Sequence, residues 1–580
     1  MTCGAMSCLL EVAVPEMAID TLTYSSESPI NEGARVIVEV QTHLHTGFVV
    51  GLADEDTHNM EIKPIAGIID DSLMTDSDIW DLAKWGGKVC MCGVNTALRA
   101  VLPKNFYTGE KVEAPPDVHT HGQFRELHNF NPFDTERVNF YVSELEKGER
   151  TLVLFPTRDL AAEFYAQLPK ELKHEALLWS QLDLWESWQK VNAKKFRIVI
   201  GSPGAVFAPL CPERIIVEDE ANPAYFIPYG LRVSARSLAG IRAKILGSTF
   251  VLGGYVPSLK TYMRTHPKQD IKPDRKSIVL SDIYRSRKQE AQGIDGQIPL
   301  TYSLIRRTYT ELLRGHNVIW FLNRSGESQE VYCGKCGRIV KCEHCGGVMK
   351  SLNDGNMLKC RVCGALRVLP DKCEECGQNF FRGKRPGIEA LAKTLRNYYP
   401  KIKLFVRDSD PSAMKGLILT TDRGFELLHT VKPSLVAWLD LDSELYGDDY
   451  DLRCQVFGKL CRSLYAGQDS EHSRKILVQA RSAGLKVAEF LAQGWSRFLA
   501  DEMREREMFM MPPFESMIEL DGGGTIARET VIAALEDIGL FVMDPGDESK
   551  PVRVMTDSLE EAAEIIAPHS HEFRITVRSE

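Results

Sequence analysis

The stretch CGKCGRIVKCEHCGGVMKSLNDGNMLKCRVCGALRVLPDKCEEC, residues 333–376, decides how the rest of the chain is read. Eight of the chain's 15 cysteines fall in it, as four C-x-x-C pairs: Cys333/Cys336, Cys342/Cys345, Cys360/Cys363 and Cys373/Cys376. A C-x-x-C pair on a tight turn aims two thiolates at one point. Two such pairs make the tetrahedral sulfur site that structural Zn²⁺ takes. Gly337, Gly346, Gly364 and Gly377 each follow the second cysteine of a pair and free the backbone for the turn beneath the metal. The eight ligands therefore predict two Zn²⁺ per chain. A thioredoxin-like redox site needs a single C-x-x-C in a βαβ setting. Regular C-x-x-C-G pairs also suit zinc ribbons better than iron–sulfur ligation. Spacing leaves nested and sequential pairing both open. The remaining cysteines, Cys90 and Cys92 among them, read as core or bystander residues.

Working outward, the cysteine cluster interrupts an alternating βα block just after its first strand. That block reads NVIWFLN (317–323), the helical IEALAKTLRNYY (388–399), IKLFV (402–406), GLILTT (416–421) and LVAWLDL (435–441). A second block lies upstream: the helical ERVNFYVSELEKG (136–148), then TLVLF (151–155), RIVIG (197–201), RIIVED (214–219) and STFVLGG (248–254). Short all-apolar runs between helices are the mark of strands buried on both faces of a doubly wound parallel sheet. Residues 9–105 read as a small mostly-β module of short β segments, LLEVAVPEM, GARVIVEV and GFVVGL, followed by the helical DSDIWDLAKWGGKV (76–89). Residues 106–134 are polar, carry Pro115, Pro116 and Pro132, and read as a linker.

With 580 residues, the chain has room for several domains. Its 44% hydrophobic and 26% charged residues are ordinary for a soluble globular protein. No apolar run approaches the ~20 residues that span a bilayer. Met1 to Leu10 lacks the basic region of a secretory signal. The expected location is the cytoplasm, with no membrane partner. A net charge of −10 restricts nucleic-acid binding to local basic surfaces. Two candidates exist. Residues 333–385 carry eleven Lys/Arg against five Asp/Glu. The stretch Lys260 to Lys288 includes Arg275-Lys276 and Arg285-Ser286-Arg287-Lys288.

The order of parts resembles the bacterial primosomal replication-restart helicases of the PriA family. Local strings carry the likeness: GSPGAVFAPL (201–210), FLNRSG (321–326), MPPFE (511–515), and the cysteine spacing pair for pair. The resemblance implies a multidomain α/β protein. It would comprise a 3′-DNA-end-binding β domain (1–105), a linker (106–134) and a first helicase-like parallel α/β lobe (135–290). A second lobe (291–330 and 385–505) would carry the double zinc insertion (331–384), and a small α+β domain (506–580) would follow. It also implies that the outer pairs, Cys333, Cys336, Cys373 and Cys376, share one zinc, and the inner pairs, Cys342, Cys345, Cys360 and Cys363, the other. Gly33 and Lys63 would line the DNA-end pocket, where the family's aspartate is Thr23 here. The partners implied are forked or 3′-tailed DNA, primosome proteins, the replicative helicase and its loader, and single-stranded DNA-binding protein.

Two departures shape the functional expectation. The family's winged helix has no room between the β module and the first lobe. The nucleotide site is also degenerate. No G-x-x-x-x-G-K-[ST] string occurs in the chain. Where the family has G-S-G-K-T, this chain has Asn131-Pro132-Phe133-Asp134-Thr135. The acidic motif reads Glu218-Asp219-Glu220-Ala221, and the late arginine motif is reduced to a stretch ending in Arg462. Asp134 would put negative charge where phosphates need a cation. The expectation is a replication-restart scaffold that binds arrested forks and promotes primosome assembly without helicase activity of its own, with ATP binding left open. Two other readings fit the same residues: an active 3′–5′ helicase with an unusual nucleotide site, and a zinc-ribbon interaction protein with no DNA role.

Overall fold

The computed structural model describes residues 8–17, 19–53, 62–116, 122–180, 183–267, 270–283, 300–323, 327–328, 331–336, 338–351, 357–360, 363–379, 381–382, 385–386, 388–399, 401–406, 415–445, 449–468, 474–546 and 550–579. Gly337, Arg285–Lys288 and residues 324–326 of the FLNRSG string lie outside them. The chain divides into two compact units. One comprises Met1–Asn129, Asn139–Gly253 and Arg506–Glu580; the other comprises Phe130–Val138 and Gly254–Glu505.

The first unit begins with an antiparallel sheet in the order Leu22–Ser26, Cys8–Ala13, His43–Leu52, Arg35–Val40, Gly67–Ile68. Alternate residues point inward, as a half-buried strand requires. Leu10, Val12, Val36, Val38 and Val49 form its core. Helix Ser77–Val89 buries Ile79, Trp80, Leu82 and Ala83. Its Asp78 is 1% exposed and pairs with the fully buried Arg242 of helix Ala235–Leu246, which also donates to the Val206 carbonyl at 2.8 Å. Removing one partner of such a pair strands a charge, at about 3–5 kcal/mol.

The same unit holds a parallel sheet in the order Arg125–Asn129, Thr249–Gly253, Arg214–Val217, Thr151–Leu154, Ile198–Gly201, Ala176–Leu178. The three strands Arg214–Val217, Thr151–Leu154 and Ile198–Gly201 are buried at every position. That burial is why their sequences are unbroken apolar runs rather than alternating ones. The unit is completed by an antiparallel sheet of Phe541–Met543, Val552–Thr556, Ser516–Gly522 and Phe573–Arg578. Helices Thr525–Asp537 and Leu559–Ile566 cover it. Met91, just after helix Ser77–Val89, is buried in the core of this last sheet beside Ile518, Val554 and Ile566. Arg232 donates to Thr576 Oγ1 at 2.8 Å.

The second unit is built on a parallel sheet in the order Ile278–Asp282, Lys475–Ala480, Leu435–Trp438, Val318–Phe321, Leu417–Thr420, Leu404–Val406. Trp320 and Trp438 are 1% exposed, and each finds a partner for its indole N–H: Thr308 Oγ1 and Ser463 Oγ, both at 3.0 Å. Between Val318–Phe321 and helix Ile388–Tyr398 the described residues make short two- and three-stranded ladders, among them Met349–Ser351, Met357–Cys360 and Leu366–Val368.

The architecture is the multidomain α/β class expected from sequence, with the antiparallel module first and two parallel sheets following. Two segments sit differently from the boundaries drawn above. Arg125–Asn129, inside the expected linker, is an edge strand of the first parallel sheet. Ile278–Asp282, inside the expected first lobe, pairs with Lys475–Ala480 in the second sheet. Edge strands have one neighbour only, so RELHN keeps the polar residues that made it read as linker. Among the described residues, no helix is long and apolar enough to cross a membrane.

Candidate metal centres and nucleic-acid interface

The eight cysteines converge on two points. The Sγ atoms of Cys333, Cys336, Cys373 and Cys376 lie within 4.8 Å of one another, and so do those of Cys342, Cys345, Cys360 and Cys363. The arrangement is nested, the outer pairs together and the inner pairs together. Within the first group Cys333–Cys376 and Cys336–Cys373 are each 3.6 Å apart. In the second, Cys342–Cys363 is 3.6 Å and Cys345–Cys360 is 3.4 Å. A disulfide would bring sulfurs to about 2.05 Å. Four thiolates around one tetrahedral ion at about 2.3 Å stand about 3.8 Å apart. The observed separations fit one ion per group.

Local backbone chemistry makes these points. Gly346, Gly364 and Gly377 all adopt positive φ, +70°, +72° and +68°. Each N–H turns back onto the carbonyl of the first cysteine of its pair: Cys342 at 2.8 Å, Cys360 at 3.2 Å and Cys373 at 2.8 Å. A side chain there would be strained. Backbone N–H groups also face sulfur: Gly347 to Cys345 at 3.4 Å, Cys363 to Cys360 at 3.5 Å. Burial raises the Cys333 thiol, yet the N–H groups of Cys336 and Lys335 outweigh it and bring the thiol down to about 7. Burial pushes Cys336 up, and lifts Cys363 to about 12, with neighbouring sulfurs adding to both. Four sulfurs held this close call for a cation to carry the charge of their thiolates. The apolar core around them is small, with Val331, Val340, Met349 and Leu358 its main buried members beside the cysteines. So small a core leaves much of the insertion's stability to bound metal.

The basic balance of this insertion is partly spent internally. Arg338 pairs with Glu375 and, at 3.4 Å, with Glu374, and Arg367 pairs with Glu343 at 2.7 Å.

In the N-terminal sheet, Gly33 has φ +83° and donates to the Val49 carbonyl at 2.8 Å. An added Cβ would meet Leu73 at 2.7 Å. Lys63 lies in the segment before Gly67–Ile68. Its Nζ, on a side chain 48% exposed, reaches Glu39 Oε1 at 2.9 Å and the Gln41 carbonyl at 3.3 Å. Thr23, on strand Leu22–Ser26, is opposite Glu11. Glu39 and Gln41 were not legible as neighbours of Lys63, because they belong to a different strand and its turn.

Asp134 begins helix Asp134–Leu145. Within the second unit its carboxylate accepts from Arg137 at 2.6 Å, from the Tyr255 hydroxyl at 2.6 Å and from the Gly467 backbone N–H at 2.6 Å, with His429 Nδ1 at 3.5 Å. Arg137 is 1% exposed, stacks 4.3 Å over the Tyr255 ring and donates to the Asn131 carbonyl. Phe133 packs edge-on against Tyr465. The segment holding Thr135 is thus closed around Asp134 by protein groups. Arg462 lies 5.3 Å over the Phe425 ring.

In the first unit, Glu218, Asp219 and Glu220 follow strand Arg214–Val217, and all are buried. Glu218 accepts from the Tyr141 hydroxyl at 2.6 Å. Asp219, at φ +52°, accepts from Asn222 at 2.7 Å. Glu220 pairs with buried Arg236 at 2.7 Å. Tyr225, wholly enclosed, has its ionisation pushed far up by burial and by these three carboxylates. The acidic run is therefore engaged by tyrosine, asparagine and arginine.

Comparison with known proteins bears on this set. The family model for the PriA 3′ DNA-binding domain (3′BD) matches residues 11–103. The Replication restart protein PriA of Chlamydia pneumoniae is 26% identical over 423 residues, covering 67% of this chain and 55% of that protein. The Haemophilus influenzae PriA is 24% identical over 428 residues, covering 68% and 58%. The chain thus spans little more than half the length of the curated relatives it matches. A structure of RecG bound to a three-way DNA junction aligns with 66% of the chain at a TM-score of 0.35 and 8% identity. The match of residues 11–103 to the 3′ DNA-binding domain and the PriA proteins among its relatives make the chain similar to the PriA family.

Proposed function

We propose that this protein is a replication-restart factor that binds branched DNA through its N-terminal module and holds two structural Zn²⁺ ions. On this reading it serves as a scaffold for primosome assembly and replicative-helicase loading, and does not translocate. Zinc is the ion favoured by eight thiolates in two tetrahedral groups, since soft sulfur ligands without oxygen or nitrogen donors select it over Mg²⁺ or Ca²⁺. The cysteines Cys333, Cys336, Cys373 and Cys376 would hold one ion, and Cys342, Cys345, Cys360 and Cys363 the other. The ions would supply no chemistry beyond fixing the insertion's backbone.

DNA binding is supported by the match of residues 11–103 to the 3′ DNA-binding domain. Lys63 is the cation proposed for a strand-terminal phosphate, with Gly33 allowing close approach of the backbone. Glu39 now holds Lys63, and a phosphodiester would compete for it.

One observation carries the absence of a motor: the closed surroundings of Asp134. A nucleotide's phosphates need cations and open N–H groups. Here the carboxylate consumes an arginine, a tyrosine hydroxyl and a backbone N–H. Glu218 and Asp219 are likewise tied to Tyr141 and Asn222. The deciding experiment measures fork-DNA binding and ATP turnover on one purified sample. The expected result is salt-sensitive fork binding, independent of ATP, with no DNA-stimulated hydrolysis. Hydrolysis that survives Asp134→Ala but is abolished by changing Glu218 and Asp219 would establish a working motor instead.

A further inference from the structure

Helix Tyr302–Leu313 lies in the second unit and presents Tyr302, Arg306, Arg307 and, just beyond its end, Arg314 to a cleft of about 410 Å³. Leu435 and Lys475, the first residues of two central strands, line the other side. These are the amino ends of parallel strands. Asn323, Asp422 and Glu444, which follow the carboxyl ends of strands in this sheet, form a network with Lys459 of helix Leu452–Tyr465, so the cleft is on the opposite rim of the same sheet. Among the described residues, the one carboxylate lining it is Glu311, 5% exposed and already balanced by Lys475 at 3.0 Å, His316 at 2.9 Å and Arg314 at 3.4 Å, with Ser434 Oγ at 2.9 Å. Arg306 and Arg307 are exposed and make no ion pair with any carboxylate among the described residues. Arg307 Nε touches Ser303 Oγ at 3.4 Å. The cleft thus carries surplus positive charge in a protein of net charge −10.

We propose that this cleft binds the phosphodiester backbone of a single DNA strand, as a second nucleic-acid contact separate from the N-terminal module; it rests on the DNA-binding reading above. Three of the four cations are guanidinium groups, whose planar fork matches phosphate oxygens. From Arg306 to Arg314 the helix path rises about 12 Å, enough to serve more than one phosphate. Tyr302 stands 58% exposed at one end, where a base can stack on its ring. An acidic peptide would share the charge, but peptide recognition also needs apolar side-chain pockets. Among the described residues, Leu435 and Tyr302 are the only apolar or aromatic side chains lining the cleft.

The test uses the full zinc-loaded chain with oligothymidylate and with a fork bearing a single-stranded arm. Arg306→Ala with Arg307→Ala removes two phosphate contacts and leaves the fold alone, since both side chains are exposed. The plot of log affinity against log salt should flatten by about 1.4, at about 0.7 per single-strand contact. Tyr302→Ala should weaken oligothymidylate about fivefold or more. A bromodeoxyuridine strand should crosslink to the peptide containing Tyr302. Loss of two exposed cations elsewhere, Lys170→Ala with Lys244→Ala, should do neither. If the fork binds and the arginine pair changes neither slope nor crosslink, the cleft proposal is overturned while the N-terminal reading stands. If a hexaglutamate peptide binds and only that binding is lost in the variant, the cleft takes acidic peptides and the proposal is equally overturned. If the wild-type chain binds no DNA at any salt, both readings fall.

Discussion

Asp134→Ala tests whether the segment at the expected nucleotide loop is a structural hub. The carboxylate accepts three hydrogen bonds of 2.6 Å, two from buried or half-buried side chains and one from the Gly467 amide. Truncation takes a carboxylate partner from Arg137, at 1% exposure, and removes the Asp134 acceptor from the Tyr255 hydroxyl and the Gly467 N–H. Breaking a fully buried pair costs about 3–5 kcal/mol. Asp134 keeps 20% of its side-chain exposure, and water reaching the site recovers part of that, so the expected loss is about 2–4 kcal/mol. A chain of this size does not unfold in one step. Amide hydrogen exchange resolves the local cost: protection at Gly467 should fall about 30-fold or more, since about 1.4 kcal/mol is tenfold. Asp134→Asn, which keeps the acceptor and loses the charge, should fall between. A vacant phosphate cradle would behave in the opposite way, because functional residues are commonly neutral or destabilising to the fold. Unchanged exchange at Gly467, or a more stable Asp134→Ala protein, would refute the hub.

Elemental analysis should find two zinc ions per chain, and Cys360→Ser should lower the content to one and expose the ladder Met349–Ser351 and Met357–Cys360 to proteolysis; one ion or an iron–sulfur absorption band in the wild-type protein contradicts the assignment. Lys63→Ala should weaken binding of 3′-tailed over blunt DNA about fivefold, read by fluorescence anisotropy, since one phosphate contact is lost; equal binding of both substrates by the wild type removes its basis. Burial raises the Glu311 carboxyl, but hydrogen bonds from His316, Lys475 and Ser434 outweigh it and hold the group from its usual 4.5 down to about 2. Its stabilisation is therefore complete above about pH 4.5 and fades as pH falls toward 2, so Glu311→Gln should cost about 1–3 kcal/mol near neutrality, and the gap should close across that window in urea titrations. A gap that widens on acidification contradicts the sign.

The metal groups and most of the sheets were legible for simple reasons. Four C-x-x-C-G turns are local chemistry, complete within five residues each. Strands such as TLVL and VIWF are buried on both faces, and nothing but an apolar run can occupy such a place. Arg125–Asn129 was hidden because an edge strand tolerates polar residues. Ile278–Asp282 and Lys475–Ala480 were overlooked although IVL and KILV are plain apolar signals, and pairing two strands nearly 200 residues apart is a tertiary fact. The same holds at the sites. Asp134 could be named from its motif, but its partners Tyr255, His429 and Gly467 arrive from distant loops, and no periodicity marks them. Lys63 was found by likeness, while its contact with Glu39 across strands needed coordinates.

The first unit draws on three separated segments, and Met91 is buried by residues after 516. This makes its completion a matter of timing during synthesis. A ribosome adding about 5–20 residues per second spends roughly 12–50 s on the stretch from 254 to 505 before the last segment begins to appear. Through that interval the N-terminal module exists with Met91 uncovered, while the second unit, nearly contiguous in the chain, is being made. The nascent chain is then an unfinished unit tethered to a nearly finished one, and the apolar surface around Met91 is where a holding chaperone would engage it.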